Sequence, residues 1–344
     1  MGLMFWDGAL RGAAAALLLL LVWNFGRDWR TSQTAKLGVA LTVAGICYLT
    51  LPLIPAEFQP SWWSVPPHLI SLAAPAIFWL FAASWFDDDF ELRPVHGLAV
   101  IGLIIAGTTG NYFAHTHQNL FIAASWRAGS VAFVALGIRV ALKGRKADLV
   151  EGRRRIRLAL SIAIALLIIW IVASELSIRG WPPPLGWRVG NGLAVLLLAA
   201  IVAFSLLGWR DPALLVPPAK PVASAPEADD SVLLARLAAE MTHQRLYRQD
   251  GLTITAVAAR LGVPEYRLRR AINQGLGARN FNAYLNDFRL AEAREALADA
   301  SQRDVPILTI ALDAGFGSLA PFNRAFRAAS GCTPTEYRAK MRGA

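Results

Sequence analysis

The segment ILTIALDAGFGSLAPFNRAFRAASG, residues 307–331, decides the fold of the C-terminal part of this 344-residue chain. It places Ile307, Ala311 and Gly315 four residues apart, and residues 254–262 show the same Ile-x3-Ala-x3-Gly spacing. We predict two helices joined by a tight turn in each copy, because Ala lets helices approach closely and Gly tolerates a positive φ. Each copy is therefore predicted to be a helix-turn-helix, whose second helix typically enters the major groove of DNA.

The stretch between the two copies, residues 280–300, is predicted to be one helix. Phe281, Tyr284, Leu285 and Phe288 lie broadly on one of its faces. Such a helix would hold the two recognition helices at a fixed distance, as is needed to read successive major grooves, which lie about 34 Å apart.

The two recognition helices supply the candidate DNA-binding residues. Leu268 and Ile272 in the first helix, and Phe322 and Phe326 in the second, are expected to face the core. An Arg can bond guanine in bidentate fashion, and a small apolar side chain can touch a thymine methyl group. A solvated helix face would explain any single Arg, but several Arg placed by a duplicated motif favour DNA contact. The candidates are Glu265, Tyr266, Arg267, Arg269, Arg270, Ser318, Leu319, Ala320, Asn323, Arg324 and Arg327.

Residues 307–318, the run Phe322-Asn323-Arg324-Ala325-Phe326 and residues 331–338 together resemble the signature of the AraC/XylS family. The resemblance covers residues 252–338. It implies a bipartite DNA-binding domain, usually that of a transcriptional activator, with RNA polymerase as a partner. By motif position it implies base contacts for Tyr266, Arg270, Leu319, Ala320 and Arg324. The family pattern has a polar pair where this chain has Leu319-Ala320. The resemblance therefore does not predict which DNA sequence this chain binds.

The preceding part of the chain has the composition of a membrane protein. Overall, 55% of the residues are hydrophobic and 17% are charged, and the charges are scarce up to Asp230. About 20 mostly apolar residues are needed to cross a bilayer as a helix. We predict seven such segments, at Ala9–Phe25, Ala35–Ile54, His68–Phe86, Val95–Ala114, Leu120–Leu142, Ile156–Ile178 and Val189–Trp209.

The loops between these segments predict their orientation. The first loop has Arg27, Arg30 and Lys36, the third has Arg93, and residues 143–155 of the fifth are the richest in Lys and Arg. The second and fourth loops have none, and the sixth has Arg179 and Arg188. Because cytoplasmic loops carry the excess of Lys and Arg, the N-terminus is predicted to lie outside and the C-terminus in the cytoplasm. We therefore expect a multi-pass protein of the bacterial inner (cytoplasmic) membrane. The whole arrangement resembles the branch of the family whose N-terminal part is a multi-helix membrane domain.

These patterns divide the chain into three predicted regions. Residues 1–209 form the transmembrane domain, residues 210–230 a linker rich in Pro and Ala, and residues 231–344 the DNA-binding domain. The last region has 16 Lys and Arg against 10 Asp and Glu, a net charge of +6 that suits a polyanionic partner. The predicted fold class is all-α, a seven-helix transmembrane bundle followed by a soluble double helix-turn-helix domain.

Three ionisable residues within the apolar segments, Arg11, Arg127 and Glu175, are candidates for sensing or coupling. Charges inside a membrane are costly and usually face the bundle interior in pairs. We expect Arg127 to pair with Glu175, with Arg11 as a further member. A purely structural ion pair and an outward-facing ligand pocket both remain open.

The function class that these features favour is a one-component sensor, in which a signal at the membrane domain changes DNA occupancy. A membrane enzyme or transporter with an attached DNA-binding domain, and a regulator that is merely anchored, are the alternatives. No catalytic set, cofactor motif or metal site is visible, and Cys47 and Cys332 are expected to be apolar fillers. The expected partners are double-stranded DNA, the lipid bilayer, an unknown small-molecule or membrane signal, and a second copy of the chain.

Overall fold

The structure is a computed structural model that describes residues 2–53, 64–87, 90–116, 120–150, 154, 156–164, 184–207 and 228–342. Within these ranges the chain is helical, and the sole extended pairing is an isolated β-bridge. The predicted all-α class is confirmed. The chain divides into two compact units. The first comprises Met1–Arg145 and Gly152–Pro217, and the second comprises Lys146–Glu151 and Pro218–Ala344.

The first unit contains long apolar helices at the positions of the predicted segments. They are α1 (Gly2–Arg27), α2 (Gln33–Thr50), α3 (Val65–Phe86), α4 (Pro94–Thr116), α5 (Leu120–Leu142) and α6 (Leu185–Leu207). Residues 156–164, the start of the sixth predicted segment, are also helical, and the rest of that segment lies outside the described residues.

Helix α3 is the central element of the first unit. It packs against α2, α4 and α5, and its side chains Phe78, Phe81 and Trp85 are at most 5% exposed. Helix α1 packs against α2 and α6. Pro75 lies inside α3, and this buried helix continues through it to Phe86.

Four helices in the described part of the first unit are long and apolar enough to cross a membrane, namely Gly2–Arg27, Gln33–Leu53, Val65–Phe86 and Leu185–Phe204. A shorter apolar helix spans Pro94–Thr109. Large apolar side chains also cover the outer surface, among them Leu98 on α4 and Phe204 on α6, which are 67% and 78% exposed. An apolar exterior of this kind is typical of a surface that faces lipid or another protein.

The described part of the second unit contains seven further α-helices and two hydrophobic cores. The helices are α7 (Ala228–Thr242), α8 (Ile254–Leu261), α9 (Glu265–Leu276), α10 (Phe281–Ala298), α11 (Ile307–Asp313), α12 (Leu319–Ser330) and α13 (Pro334–Arg342). Helices α7, α8 and α9 share the first core with the start of α10. The second half of α10 shares the second core with α11 and α12. Because α10 contributes to both cores, it joins two helical subdomains, as the sequence predicts.

A short segment from far upstream completes the second unit. Asp148 forms an antiparallel bridge with Asn280, and Leu149 lies in the first core with 3% of its surface exposed. The sequence pattern instead predicts that this segment lies in a loop of the membrane domain, within residues 1–209. Its pairing with residues 279–281 has no local sequence signal, since the two strands are about 130 residues apart.

Candidate nucleic-acid interface

Helices α8 and α9 form the first helix-turn-helix. The Thr253 side chain caps α8 by accepting a hydrogen bond from the Ala256 amide at 3.2 Å. Gly262 ends the helix with a φ of 68°, in the left-handed region that favours glycine. The amide of Val263 donates to the carbonyl of Ala258 at 3.0 Å, and the chain then enters α9 through Pro264. These local contacts turn the chain sharply enough for α9 to pack against α8.

The second helix-turn-helix, α11 and α12, repeats this turn. The amide of Phe316 donates to the carbonyl of Ala311 at 3.0 Å, which is the same five-residue offset as in the first copy. Gly315 has a φ of 92°, and both Ala311 and Ala314 are buried. The repeat that the sequence shows therefore corresponds to a repeat in backbone hydrogen bonding.

Helix α12 presents an exposed face that combines polar, basic and small or apolar side chains. Phe322 and Phe326 are fully buried, as predicted, and fix which side of the helix faces the core. Residues spaced by three or four lie on one face of a helix. The candidate DNA-binding residues of α12 therefore form one surface. The exposed candidates here are Ser318, Leu319, Ala320, Asn323, Arg324 and Arg327.

Helix α9 presents a smaller exposed face. Leu268 and Ile272 are fully buried, whereas Tyr266 is 71% exposed and Arg270, one turn later, is also exposed. Glu265 is partly buried at the start of the helix, where its carboxylate accepts a hydrogen bond of 2.6 Å from the Thr255 hydroxyl. Tyr266 and Arg270 are the α9 side chains best placed to reach a groove.

The expectation that Arg269 contacts DNA is corrected by the structure. Its side chain is 6% exposed, and its guanidinium donates to the carbonyls of Asp148 at 2.5 Å and Lys146 at 2.6 Å. It also forms an ion pair with Glu265 at 2.6 Å. The physical reason is the upstream segment, which covers this side of α9 and engages Arg269 inside the protein.

An acidic residue that carries no sequence signal for this site lies beside the remaining α9 arginines. Asp230 lies in the first turn of α7, and its carboxylate is 3.3 Å from the guanidinium of Arg270 and 3.6 Å from that of Arg267. The Asp230 side chain is 8% exposed. Because a buried carboxylate favours a nearby cation, Asp230 positions both arginines at the edge of the exposed face.

Arg289 on α10 connects the two subdomains. Its guanidinium donates to the carbonyls of Tyr247 at 2.7 Å and Gln249 at 3.0 Å, and lies 5.6 Å from the centre of the Phe316 ring. Burial lowers the pKa of Arg289, and the nearby charge of Asp250 opposes that shift. This contact limits how far one helix-turn-helix can rotate against the other.

A second charged contact reinforces the same junction. Glu292 on α10 forms an ion pair with Arg248 and lies 3.5 Å from the guanidinium of Arg245. Burial alone would raise the pKa of Glu292, but hydrogen bonds from Arg248 and Tyr247 and the two arginine charges outweigh it and lower that pKa. The carboxylate is therefore held ionised at the subdomain junction.

In the first unit, Arg11 lies in a buried charged cluster rather than beside Arg127. Its side chain is 2% exposed and pairs with Asp7, one turn earlier on α1, at 2.6 Å. It also donates to the carbonyls of Leu49 at 2.9 Å and Arg188 at 3.2 Å. The Asp7 carboxylate receives a second ion pair, of 2.5 Å, from the Arg188 side chain. This charged cluster, Asp7, Arg11 and Arg188, ties α1 to α2 and α6.

The side chain of Arg127 is exposed on α5 within the described part of the first unit. The depth of Arg127 in a membrane stays a prediction. Glu175 lies outside the described residues, so the predicted pair of Arg127 with Glu175 stays a prediction. The sequence gives the position of a residue along a helix. It does not show which other helix that face of the helix packs against.

Comparison with known proteins agrees with this geometry. A family model described as a helix-turn-helix domain matches residues 257–340, which span most of α8 to α13. The chain is 33% identical over 94 residues to a protein of Proteus vulgaris named "Probable transcription factor PqrA", and the match covers 27% of this chain and 74% of that protein. No solved structure matches. Two linked helix-turn-helix units with exposed second helices, the family model that matches residues 257–340 and this relative together show that the chain belongs to the AraC-type helix-turn-helix family.

Proposed function

We propose that this protein is a membrane-embedded, one-component transcription regulator. The apolar helices of the first unit span the bacterial inner membrane, and the second unit binds double-stranded DNA from the cytoplasm. A small-molecule or membrane signal acts on the first unit and changes the DNA occupancy of the second. The observation that carries the proposal is that one chain combines exposed recognition helices with several helices apolar enough to cross a bilayer.

Within the DNA-binding unit, α12 is the main reader of bases. Asn323 and Arg324 are exposed near the start of the helix, where a recognition helix comes closest to base edges. Leu319 and Ala320 supply apolar contact of the kind that suits thymine methyl groups. On α9, Tyr266 and Arg270 make the corresponding contacts. Ser318, Glu265, Arg267 and Arg327 flank these readers and position the helices on the phosphate backbone.

RNA polymerase and a second copy of the chain are the further proposed partners. Family membership supports the first, since a transcription regulator acts through polymerase. Dimerisation would place two such units on neighbouring half-sites, in keeping with the usual symmetry of DNA-binding proteins.

The membrane part of the proposal is tested by topology reporters. Alkaline phosphatase, which is active outside, and a fluorescent protein, which is active inside, are fused after residues 60 and 220 in the full-length gene. We expect residue 60 to report outside and residue 220 to report the cytoplasm. An external residue 220 would overturn the proposal, because DNA would be out of reach.

The DNA part is tested by substituting Arg324 in the full-length protein. Arg324→Ala should cost about 1–3 kcal/mol of binding free energy and relax specificity at one base position. Lys340→Ala on α13 is the matched control, because it removes a positive charge from a helix outside the two recognition helices. The measurement is selection of binding sites from a random duplex pool by each variant. Identical selected sequences for Arg324→Ala and the wild type would show that Arg324 does not read a base.

A further inference from the structure

The loop that follows α5 contributes a strand to the DNA-binding unit. We call residues 146–150 the docking strand. Two backbone hydrogen bonds hold it, one from the Leu149 amide to the Arg279 carbonyl at 2.9 Å and one from the Phe281 amide to the Ala147 carbonyl at 2.8 Å. Asp148 and Asn280 face each other between these bonds, in the arrangement of a non-hydrogen-bonded antiparallel pair.

The docking strand places a side chain in the first core of the second unit. Leu149 belongs to the same hydrophobic core as Leu268 and Ile272 of α9, and only 3% of its surface is exposed. Val150 is equally buried, and its amide donates to the Asp148 carboxylate at 3.0 Å. The strand therefore fills part of the core that supports the first recognition helix.

The docking strand also binds α9 directly through Arg269. Two strand carbonyls, those of Lys146 and Asp148, accept hydrogen bonds from this one guanidinium. If the strand leaves, Arg269 loses both acceptors, and the core loses the Leu149 side chain. Unmade hydrogen bonds of a buried charged group and an emptied apolar site both disfavour the native position of α9.

We propose that the docking strand controls the first helix-turn-helix: bound, it holds α9 in the DNA-binding conformation, and released, it weakens DNA binding. Three residues, 143–145, connect the strand to α5, and residues 151–155 connect it to the helical residues 156–164. A rearrangement of those membrane helices is thereby transmitted through the chain to α9. This inference rests on the proposed function and names the element through which the signal passes.

The first experiment tests docking by disulfide trapping in membranes that contain the full-length protein. Cys47 and Cys332 are changed to Ser, a protease site is inserted within residues 208–227, and Asp148→Cys is combined with Asn280→Cys. The Cα atoms of a non-hydrogen-bonded pair are about 4.5 Å apart, a separation that a disulfide can bridge. After oxidation and cleavage, the two fragments should stay joined on a non-reducing gel and separate on reduction.

The matched control combines Asp148→Cys with Asn282→Cys, which moves the second thiol to an exposed position two residues further along the chain. We expect its fragments to separate with or without reduction. Separation of the 148 and 280 pair to the same extent as the control would overturn docking, whether or not the protein binds DNA. Trapping of the 148 and 280 pair alone supports docking.

The second experiment tests control of DNA binding with Leu149→Ala in the full-length protein. Truncating a buried Leu to Ala should lower the docking equilibrium constant about 30-fold or more, and the Kd for DNA should rise by up to that factor. Leu142→Ala is the control, because Leu142 is a 45% exposed leucine at the end of α5. The probe is a duplex that the wild-type full-length protein selects from a random pool.

The outcomes distinguish control by the docking strand from the proposed function itself. A rise in Kd for Leu149→Ala, with wild-type affinity for Leu142→Ala, supports control by the strand. Equal Kd values for Leu149→Ala and the wild type would overturn the inference and leave the proposed function intact. Failure of the wild-type protein to select any duplex would instead overturn the proposed function, and the control of DNA binding with it.

Discussion

At the scale of single residues, the two turn glycines show how equivalent motif positions come under different constraints. Both Gly262 and Gly315 have a positive φ, of 68° and 92°. A Cβ atom at Gly262 would meet nothing within 4 Å, whereas one at Gly315 would lie 2.6 Å from the Tyr247 carbonyl oxygen and 2.7 Å from the Arg248 Cα. Gly315 is therefore required both by its backbone conformation and by the close approach of residues 247–248.

We expect Gly315→Ala to destabilise the second unit more than Gly262→Ala does. The strain of a left-handed residue with a side chain is about 1–2 kcal/mol and applies to both variants. Only Gly315→Ala also forces backbone atoms apart. The measurement is urea unfolding of the full-length protein followed by pulse proteolysis, and equal midpoints for the two variants would contradict the expected order.

In the charged cluster of the first unit, the exposure of each residue predicts how much its removal costs. Arg11 is 2% exposed and Asp7 is 3% exposed, but Arg188 is 17% exposed. Removing Asp7 leaves Arg11 as a buried cation without its carboxylate. Removing the Arg188 side chain leaves Asp7 still paired with Arg11, so the two substitutions differ in the charge that they leave behind.

Asp7→Ala should therefore be the more damaging change, with a cost of about 3–5 kcal/mol that is typical when one partner of a buried ion pair is lost. Arg188→Ala should cost less. Thermal unfolding of the detergent-purified protein, with fluorescence from its tryptophans, gives the comparison. A larger loss of stability for Arg188→Ala would mean that the Asp7 and Arg11 pair does not dominate the cluster.

At the scale of elements, the sequence predicts those features that depend on local spacing. Both helix-turn-helix copies, and the buried faces of α9 and α12, follow from the period of a helix and the position of glycine. Asp7 and Arg11 also lie one helical turn apart, a spacing that the sequence displays. Arg269 could not be placed in this way, because only its partner Glu265 is local, whereas the carbonyls that it binds belong to residues 146 and 148. The same limitation applies to Asp230, which approaches the α9 arginines from another helix.

The charged contact between α10 and residues 245–248 predicts how stability depends on pH. Because the folded-state pKa of Glu292 is lowered, its contribution is present above the unfolded pKa and is lost as the pH falls through the folded value. Burial raises the pKa of Asp287 on the same helix, which has the opposite sign and partly offsets this loss.

We expect the second unit to lose stability as the pH is lowered below about 4.5, where an unperturbed glutamate is about half protonated. Glu292→Gln should show less stability at neutral pH and a weaker dependence on acid, because the charge that titrates is absent. Urea midpoints from about pH 7 down to about pH 3.5 for both proteins provide the test. Parallel pH profiles would show that the Glu292 contact does not contribute to acid sensitivity.

At the scale of the whole molecule, the DNA-binding unit has two attachments to the rest of the chain. One is covalent, through the residues that precede α7. The other is the docking strand, which is covalently continuous with α5 and bound to the second unit by contacts that include two backbone hydrogen bonds, the Arg269 contacts and the burial of Leu149. So short an interface is weak between separate molecules. Within one chain it is effective, because the covalent connection through residues 208–227, here called the tether, keeps the local concentration of the strand high.

This arrangement predicts that docking depends on the length of the tether. Inserting a flexible Gly/Ser segment as long as residues 208–227 should lower the effective concentration of the strand roughly threefold, since that concentration falls with about the −3/2 power of tether length. The yield of the disulfide between the cysteines introduced at positions 148 and 280 should fall accordingly under brief oxidation. Cutting the tether before oxidation should abolish the disulfide altogether, because the released unit is diluted. If neither the insertion nor the cut lowers the yield of this disulfide, the strand binds tightly on its own. A signal from the membrane helices could then not release it.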